Sequence, residues 1–280
     1  MILARVGAVL VVALLAALSA SAAPGPVYQP PRAYYLALGD SIAYGVQPAK
    51  VDAGLPPSGF RTGYVDVFAA RLRRLAPKIR VVNYSCPGES TRTFINGGCP
   101  WLAEQRRLHD AFTGTQLQAA LAFLRTHRGQ VSPITVTLWG NDVFDEFAPA
   151  CKGNPRCVVS HAGPYVARFR SRLASIVERL RTAAPNAEII LTGAWNFDVE
   201  RLAQVDPLFR SVDAAIARAA TAGKARVAKM YPVFNPARNP AKNKARICAL
   251  TFICSKGDPH PTDAGYRAMA AAFLAASGYK

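Results

Sequence analysis

Residues 36–45 read LALGDSIAYG, and this stretch marks the start of the fold. An apolar run ends in a glycine, and an aspartate and Ser41 follow directly. Such a run is typical of a buried strand, and Asp or Ser after it is typical of a helix N-cap. Ser41 therefore has two interpretations: the cap of a helix, or a reactive hydroxyl at a strand end. Two helix breakers, Gly45 and Pro48, follow closely, so any helix that Ser41 caps is short.

Outward from this stretch, short apolar runs alternate with amphipathic segments. The runs predict strands over 34–39, 79–84, 133–138, 188–194 and 226–231. Apolar residues at three- and four-residue spacing predict helices over about 64–76, 115–127, 165–183, 208–222 and 262–277. Continuous apolar strands between amphipathic helices are typical of a parallel sheet covered on both faces. We therefore expect an α/β fold, a three-layer α/β/α sandwich around about five parallel strands.

The N-terminal segment has the form of a secretory signal peptide. Arg5 precedes a short, Ala-rich apolar core, and the small residues at 20–22 offer a cleavage site. We expect a signal peptide over 1–22 and a single domain over 23–280, in a secreted or extracytoplasmic location. An uncleaved membrane anchor is the alternative. No later stretch approaches the roughly 20 apolar residues that span a bilayer, so no transmembrane segment is predicted.

All six cysteines follow the predicted cleavage site. An even number of cysteines in an exported chain favours disulfides. Proximity along the chain favours the pairs Cys86–Cys99, Cys151–Cys157 and Cys248–Cys254. A zinc site is disfavoured, because no CxxC pair occurs and the histidines are scattered, so we expect no metal.

The chain is strongly basic, with a formal net charge of +17. Such a charge attracts anionic lipid surfaces and acidic polysaccharides, although an ordinary soluble basic surface is the simpler interpretation. Nucleic acid is not expected as a partner, because the basic residues are not interleaved with stacking aromatic residues. No cofactor motif appears, and we expect a monomer.

The loops after the predicted strands carry residues that suit acyl transfer, and such loops form the ligand site of parallel α/β sheets. Ser41 follows the first strand, and Gly88 lies in NYSCPGEST after the second. Asn141 lies in WGND after the third, and His260 lies in GDPHPTDAGY after the last. A serine nucleophile needs a base within hydrogen-bond reach. An oxyanion needs donors, which the Ser41 and Gly88 N–H groups and the Asn141 amide would supply.

The position of His260 distinguishes it from the other three histidines. His109 and His127 lie on or beside helical patterns and look like surface residues, and His161 lies in the cysteine-bearing insertion. Each candidate alone has an ordinary structural interpretation, as a cap, a turn or a hydrogen-bonded side chain. Their order, each after its own strand, favours an active site.

These four blocks resemble those of the SGNH (GDSL) hydrolase superfamily, over about residues 34–274. The resemblance implies a flavodoxin-like sheet, no metal or cofactor, and ester hydrolysis through an acyl-enzyme. Ser41 would be the nucleophile and His260 the base. The N–H groups of Ser41 and Gly88 and the amide of Asn141 would form the oxyanion hole.

The chain departs from the family pattern in two places. The usual triad aspartate, three residues before the histidine, is Gly257 here, and Asp258 follows it. Asp258 is the best acid to orient His260, and the alternative is a Ser–His dyad with a backbone carbonyl as the acceptor. The usual glycine two residues before the asparagine is Trp139, which lines the acyl site or else closes the third strand within the core.

The sequence thus predicts a secreted serine ester hydrolase that cleaves acyl or lipid esters, with an ester substrate presented at an anionic lipid or polysaccharide surface. Two alternatives remain: a carbohydrate O-deacetylase, and a non-catalytic binder of acidic polymers. The disulfides would hold the oxyanion loop, through Cys86, and the base loop, through Cys254.

Overall fold

A computed structural model describes residues 25–147, 149, 151–152 and 154–280, so the predicted signal peptide lies outside the described residues. Its centre is a five-stranded parallel sheet in the order β2-β1-β3-β4-β5. The strands are β1 (Tyr34–Gly39), β2 (Arg80–Asn83), β3 (Val131–Thr137), β4 (Ile189–Thr192) and β5 (Arg226–Ala228). This is the flavodoxin-like order, in which the ligand crevice lies at the carboxyl ends of β1 and β3.

Helices connect and cover the strands. In chain order they are α1 (Ser41–Tyr44), α2 (Pro48–Asp52), α3 (Tyr64–Leu72), α4 (Thr91–Asn96), α5 (Pro100–Ala103), α6 (Gln116–Thr126), α7 (Gly140–Asp142), α8 (Pro155–Ala183), α9 (Leu202–Ala222), α10 (Tyr231–Phe234), α11 (Pro240–Leu250), α12 (Ile253–Lys256) and α13 (Asp263–Ser277). A 3-10 turn spans Pro57–Phe60, and a π-helical turn spans Val143–Phe147.

The helices form two layers. Helices α3 and α13 pack against each other, and α8 packs against both α6 and α9. Right-handed crossovers place these two sets on opposite faces of the sheet. Every residue of β3 and β4 is buried, as a strand covered on both sides requires. The predicted α/β/α sandwich is confirmed.

Two helices begin earlier than the sequence pattern predicts. Helix α8 begins at Pro155 and contains Pro164, and α9 begins at Leu202 and contains Pro207. A proline inside a helix removes one N–H donor and crowds the preceding turn, so the predicted helices start after each proline. Apolar residues on both sides of each proline are buried, and this packing outweighs the local cost.

The predicted loop before His260 contains helix α11. Asn239 caps this helix through hydrogen bonds from two backbone N–H groups, and only Ile247 and Leu250 are buried along it. With so few apolar positions, the segment shows little of the hydrophobic periodicity that predicts a helix from sequence. Among the described residues, no helix combines the length and the apolar character needed to cross a bilayer.

Candidate active site

Ser41 is the first residue of helix α1, directly after the strand end. The carboxylate of Asp40 accepts a hydrogen bond from the Ile42 N–H at 2.9 Å and is therefore the N-cap of α1. The helix has a single turn and ends at Gly45, whose φ of +90° is left-handed. A Cβ at Gly45 would lie 2.3 Å from the Phe60 carbonyl oxygen. Asp40 thus takes the capping role, and the Ser41 hydroxyl is not needed for it.

His260 and Asp258 form a close pair at the other end of the chain. His260 Nδ1 lies 2.6 Å from Asp258 Oδ1, and the same oxygen accepts a hydrogen bond from the His260 backbone N–H at 2.8 Å. A carboxylate two residues before the histidine therefore reaches the ring through a tight turn. Burial opposes ionisation of Asp258, but its hydrogen bonds and the charge of His260 outweigh burial and lower its pKa.

Ser41 and His260 line one cleft, together with Trp139 and Asn141. The full lining is Asp40, Ser41, Ile42, Trp139, Gly140, Asn141, Phe144, Trp195, Phe197, Pro259 and His260. The cleft is small, about 60 Å³, and its walls are largely aromatic. The first, third and last of the four sequence blocks thus contribute to one concave site at the carboxyl edge of the sheet.

Gly88 lies in a tight turn beside this cleft. The Glu89 N–H donates to the Cys86 carbonyl at 3.0 Å, and Gly88 has a φ of +86°. A Pro-Gly pair with this geometry is typical of a type II turn, which requires a positive φ at its third residue. A Cβ at Gly88 would also lie 2.8 Å from the ring of Pro100. The Asn141 amide donates to the Glu89 carbonyl at 2.8 Å, so Gly88 is one residue from the group that holds Asn141.

A buried hydrogen-bond network joins this turn to the strand before Ser41. The side-chain amide of Gln116 pairs with both backbone groups of Gly39, at 2.6 Å to the N–H and 3.0 Å to the carbonyl. Gln116 also donates to Glu89 Oε2 at 2.8 Å, and both side chains are 1% exposed. Glu89 Oε1 is buried without a hydrogen-bond partner among the described residues. Glu89 thus links the ends of β1, β2 and β3.

Asp142 ties the Asn141 segment to helix α4. Its carboxylate accepts hydrogen bonds from the Thr91 N–H, at 3.0 Å, and from the Thr91 hydroxyl. Arg172 lies 3.9 Å away. Burial raises the pKa of Asp142 to about 6, even though these partners stabilise its charge. These contacts give the Asp142 carboxyl a structural role.

The structure joins the three cysteine pairs that proximity along the chain favours: Cys86–Cys99, Cys151–Cys157 and Cys248–Cys254. Cys86 opens the turn that contains Gly88, and Cys248–Cys254 links the end of α11 to α12, the short helix that leads into the His260 loop. Two of the three bridges therefore hold loops that form the site.

The other histidines lie outside the cleft, and His109, which the sequence suggested to be a surface residue, is half-buried. His109 Nε2 lies 2.9 Å from the Tyr44 carbonyl oxygen, and the two rings pack at 4.2 Å. Burial lowers its pKa. His127 stacks on Phe123, and His161 is exposed at the start of α8.

Trp139 is both a core residue at the end of β3 and a wall of the cleft, so both interpretations of it hold. Trp139 is 3% exposed and packs edge-on against Trp195 at 4.8 Å, yet it lines the cleft. Sequence reasoning missed Trp195 and Phe197, although they directly follow β4 and stand in a strand-end loop. It also missed Gln116 and Glu89, because a buried amide and carboxyl look like ordinary helix and loop residues in a sequence.

A serine and a histidine in one cleft at the carboxyl edge of a flavodoxin-like sheet are typical of one class of serine hydrolases. Residues 37–268 match the model of the GDSL-like lipase/acylhydrolase family, and the chain belongs to that family. No curated protein shows significant sequence similarity to the chain.

Solved structures share the fold at low sequence identity. A phospholipase A1 from Streptomyces albidoflavus is 16% identical, with a TM-score of 0.59 over 88% of this chain and 99% of its own. An extracellular lipase from Streptomyces rimosus is 17% identical, with a TM-score of 0.58 over 87% and 99%. A variant of Axe2, an acetyl xylan esterase from Geobacillus stearothermophilus, is 18% identical, with a TM-score of 0.55 over 88% and 95%.

Proposed function

We propose that the chain is a serine ester hydrolase in which Ser41 is the nucleophile, His260 the general base and Asp258 the residue that orients His260. One observation carries the proposal: Ser41 and His260 line the same cleft, while Asp258 binds Nδ1 of the His260 ring at 2.6 Å. A serine hydroxyl becomes nucleophilic when a neighbouring base accepts its proton, and an acid on the second ring nitrogen fixes the tautomer that does so.

The reaction follows from these positions. His260 accepts the Ser41 proton, and Ser41 Oγ attacks the ester carbonyl carbon. The Ser41 and Gly88 N–H groups and the Asn141 amide stabilise the oxyanion. One amide hydrogen of Asn141 bonds the Glu89 carbonyl, and the amide has a second donor for the substrate. His260 protonates the departing alcohol, and water then hydrolyses the acyl-enzyme by the same route.

The cleft supports a preference for short acyl groups. Its volume of about 60 Å³ suits a few heavy atoms, and a buried water needs roughly 10–15 Å³ on a similar scale. Trp139, Trp195 and Phe197 are buried and would limit the depth of the site. The three disulfides and the predicted signal peptide support an extracytoplasmic location.

A carbohydrate O-deacetylase is the second candidate, and the cleft volume favours it, because an acetyl group is the smallest common acyl group that would fill the site. The acetyl xylan esterase with a similar fold supports this alternative. A panel of esters from acetate to octanoate, run beside acetylated xylan and phospholipid, separates the two candidates: activity on acetylated xylan alone would favour the deacetylase.

The decisive test replaces the nucleophile. We expect Ser41→Ala to lose at least about 10⁴-fold in kcat on p-nitrophenyl acetate and to lose labelling by a fluorophosphonate probe. Ser58→Ala, at an exposed serine outside the cleft, should keep both. A Ser41→Ala variant with full activity would overturn the assignment, and an unlabelled, inactive parent would favour the non-catalytic binder.

A further inference from the structure

The exposed apolar side chains are unevenly distributed. Among the described residues, four large apolar side chains are more than a third exposed: Val27, Leu55, Leu102 and Phe144, at 67%, 40%, 42% and 46%. Val27 precedes β1 and lies at the amino edge of the sheet, beside Gln130. The other three follow β1, β2 and β3, at the edge that carries Ser41.

Leu55 and Leu102 belong to two mostly exposed apolar segments, residues 53–57 and 101–103, which together we call the apolar patch. Residues 53–56 and 102–103 are all exposed. The two segments meet at a cleft of about 340 Å³ whose lining includes Leu55 and Trp101. Tyr44 also lines this cleft, and it stands three residues after Ser41 in helix α1.

Basic side chains surround the patch. Arg106 and Arg107 line the cleft. Arg61 is exposed and directly follows Phe60, whose ring packs against Tyr44 at 5.2 Å. Lys50 adds a fourth charge from α2, while Asp52 and Glu104 are the neighbouring exposed acids; Glu104 pairs with Arg106 at 3.2 Å. An apolar centre with a basic rim fits an anionic lipid surface, where apolar side chains enter the headgroup region and cations meet phosphates.

The aromatic rings of the patch argue against a sugar as the occupant. Carbohydrate stacking needs an open ring face, but the Arg106 guanidinium lies 4.6 Å above the Trp101 ring. The Tyr44 ring packs against His109 at 4.2 Å. The Tyr44 hydroxyl and the Trp101 indole N–H both donate to the Arg107 carbonyl, at 2.8 Å and 3.2 Å, so neither is available to a sugar hydroxyl.

We infer that residues 53–57 and 101–103 dock the protein onto an anionic phospholipid bilayer, with Arg106 and Arg107 at the phosphates. The patch and the catalytic cleft share the carboxyl edge of the sheet, so docking holds the cleft beside the lipid surface. The value of that position to a hydrolase of short acyl esters rests on the proposed function, whereas the binding itself does not.

Vesicle sedimentation tests the inference without catalysis. The chain carrying Ser41→Ala, purified after export, is mixed with phosphatidylglycerol–phosphatidylcholine vesicles at low salt. We expect binding that weakens as salt rises and as phosphatidylglycerol is removed. Adding Leu55→Ser and Leu102→Ser should weaken binding at least tenfold. Val27→Ser, which removes the most exposed apolar side chain from the opposite edge, should change binding less than twofold.

Two further measurements keep the result interpretable. With Ser41 restored, the Leu55→Ser/Leu102→Ser variant should hydrolyse soluble p-nitrophenyl acetate at the parent rate, which shows that it folds. Sedimentation with polygalacturonate tests the alternative occupant. The inference is overturned if the parent does not bind the vesicles, if the double variant binds as well as the parent, or if polygalacturonate binds through the same leucines.

Discussion

The proposed catalytic cleft has two sides, named after the proposed nucleophile Ser41 and the proposed base His260, and they are built differently. On the nucleophile side, the carboxyls of Asp40, Glu89 and Asp142 are at most 3% exposed, and burial raises their pKa values to about 8, 7 and 6. On the base side, Asp258 is 28% exposed, and its bonds to His260 lower its pKa despite partial burial. One side is a buried scaffold, and the other is a partly exposed hydrogen-bonded pair.

This difference shows how each side is positioned. Buried hydrogen bonds through Gln116 and Glu89 fix the nucleophile side to three strand ends at once. The base side stands on a partly exposed loop. Three contacts limit the motion of this loop: the disulfide Cys248–Cys254, a β-bridge between Thr251 and Pro261, and the hydrogen bond between Asp258 and His260. We expect changes on the base side to affect catalysis alone, and changes on the nucleophile side to affect both catalysis and stability.

Removing the base should have the largest effect. We expect His260→Ala to reduce kcat by at least about 10⁴-fold, because the Ser41 proton loses its acceptor. The ring is 20% exposed, so the melting temperature should change little. His161→Ala, at an exposed histidine of α8, is the matched control and should keep the parent rate. A His260→Ala enzyme within tenfold of the parent would remove His260 from the mechanism.

Removing an oxyanion donor should have the next largest effect. Asn141→Ala is expected to lower kcat by about 10²–10³-fold with a smaller change in KM, because the donor acts mainly on the transition state. Asn239→Ala is the contrasting control: it removes the cap of α11 and should cost about 1 kcal/mol of stability with no loss of kcat. Equal kcat for the two variants would exclude Asn141 as a donor.

Disrupting the buried network should have a moderate effect. We expect Glu89→Ala to lower kcat about tenfold, or about 1.4 kcal/mol, because Gln116 loses its partner and the turn that holds Gly88 loosens. Glu89→Gln keeps an acceptor for Gln116 and should restore most of the rate. If both variants lower the melting temperature equally and neither lowers kcat, Glu89 supports only the fold.

The convergence of the site residues in the strand-end loops was predictable from the sequence. Each parallel strand has one carboxyl edge, so Ser41, Asn141 and His260 converge once the strands are found. The bond between Asp258 and His260 was also within reach, because the two are close along the chain. Gln116 was not, because its contact with Gly39 spans 77 residues and depends on how helix α6 meets β1. The predicted starts of α8 and α9 were wrong, because each helix continues through a proline that the sequence pattern reads as a helix breaker. Tertiary packing outweighs that local signal.

The two sides should contribute to the pH dependence of stability in opposite directions. Folded Glu89 keeps its proton up to a pKa of about 7, whereas the unfolded chain loses it near the ordinary value of about 4.3. Stability should therefore fall as pH rises between these values. The contribution of Asp258 to stability has the opposite pH dependence. It is fully present above the ordinary pKa of an aspartate and is lost as pH falls through the lowered pKa of Asp258.

Chemical denaturation of single variants across pH 3–8 separates these contributions. Glu89→Gln cannot titrate, so its unfolding free energy should fall less than that of the parent between about pH 4.5 and 7, by an amount on the order of 1 kcal/mol. Asp258→Asn should flatten the profile only below about pH 4. Asp52→Asn, at an exposed carboxyl, should leave the stability profile unchanged in both pH ranges. A Glu89→Gln profile that parallels the parent would mean that Glu89 is ionised in the folded protein, and the nucleophile side would then hold a charged carboxylate as the base side does.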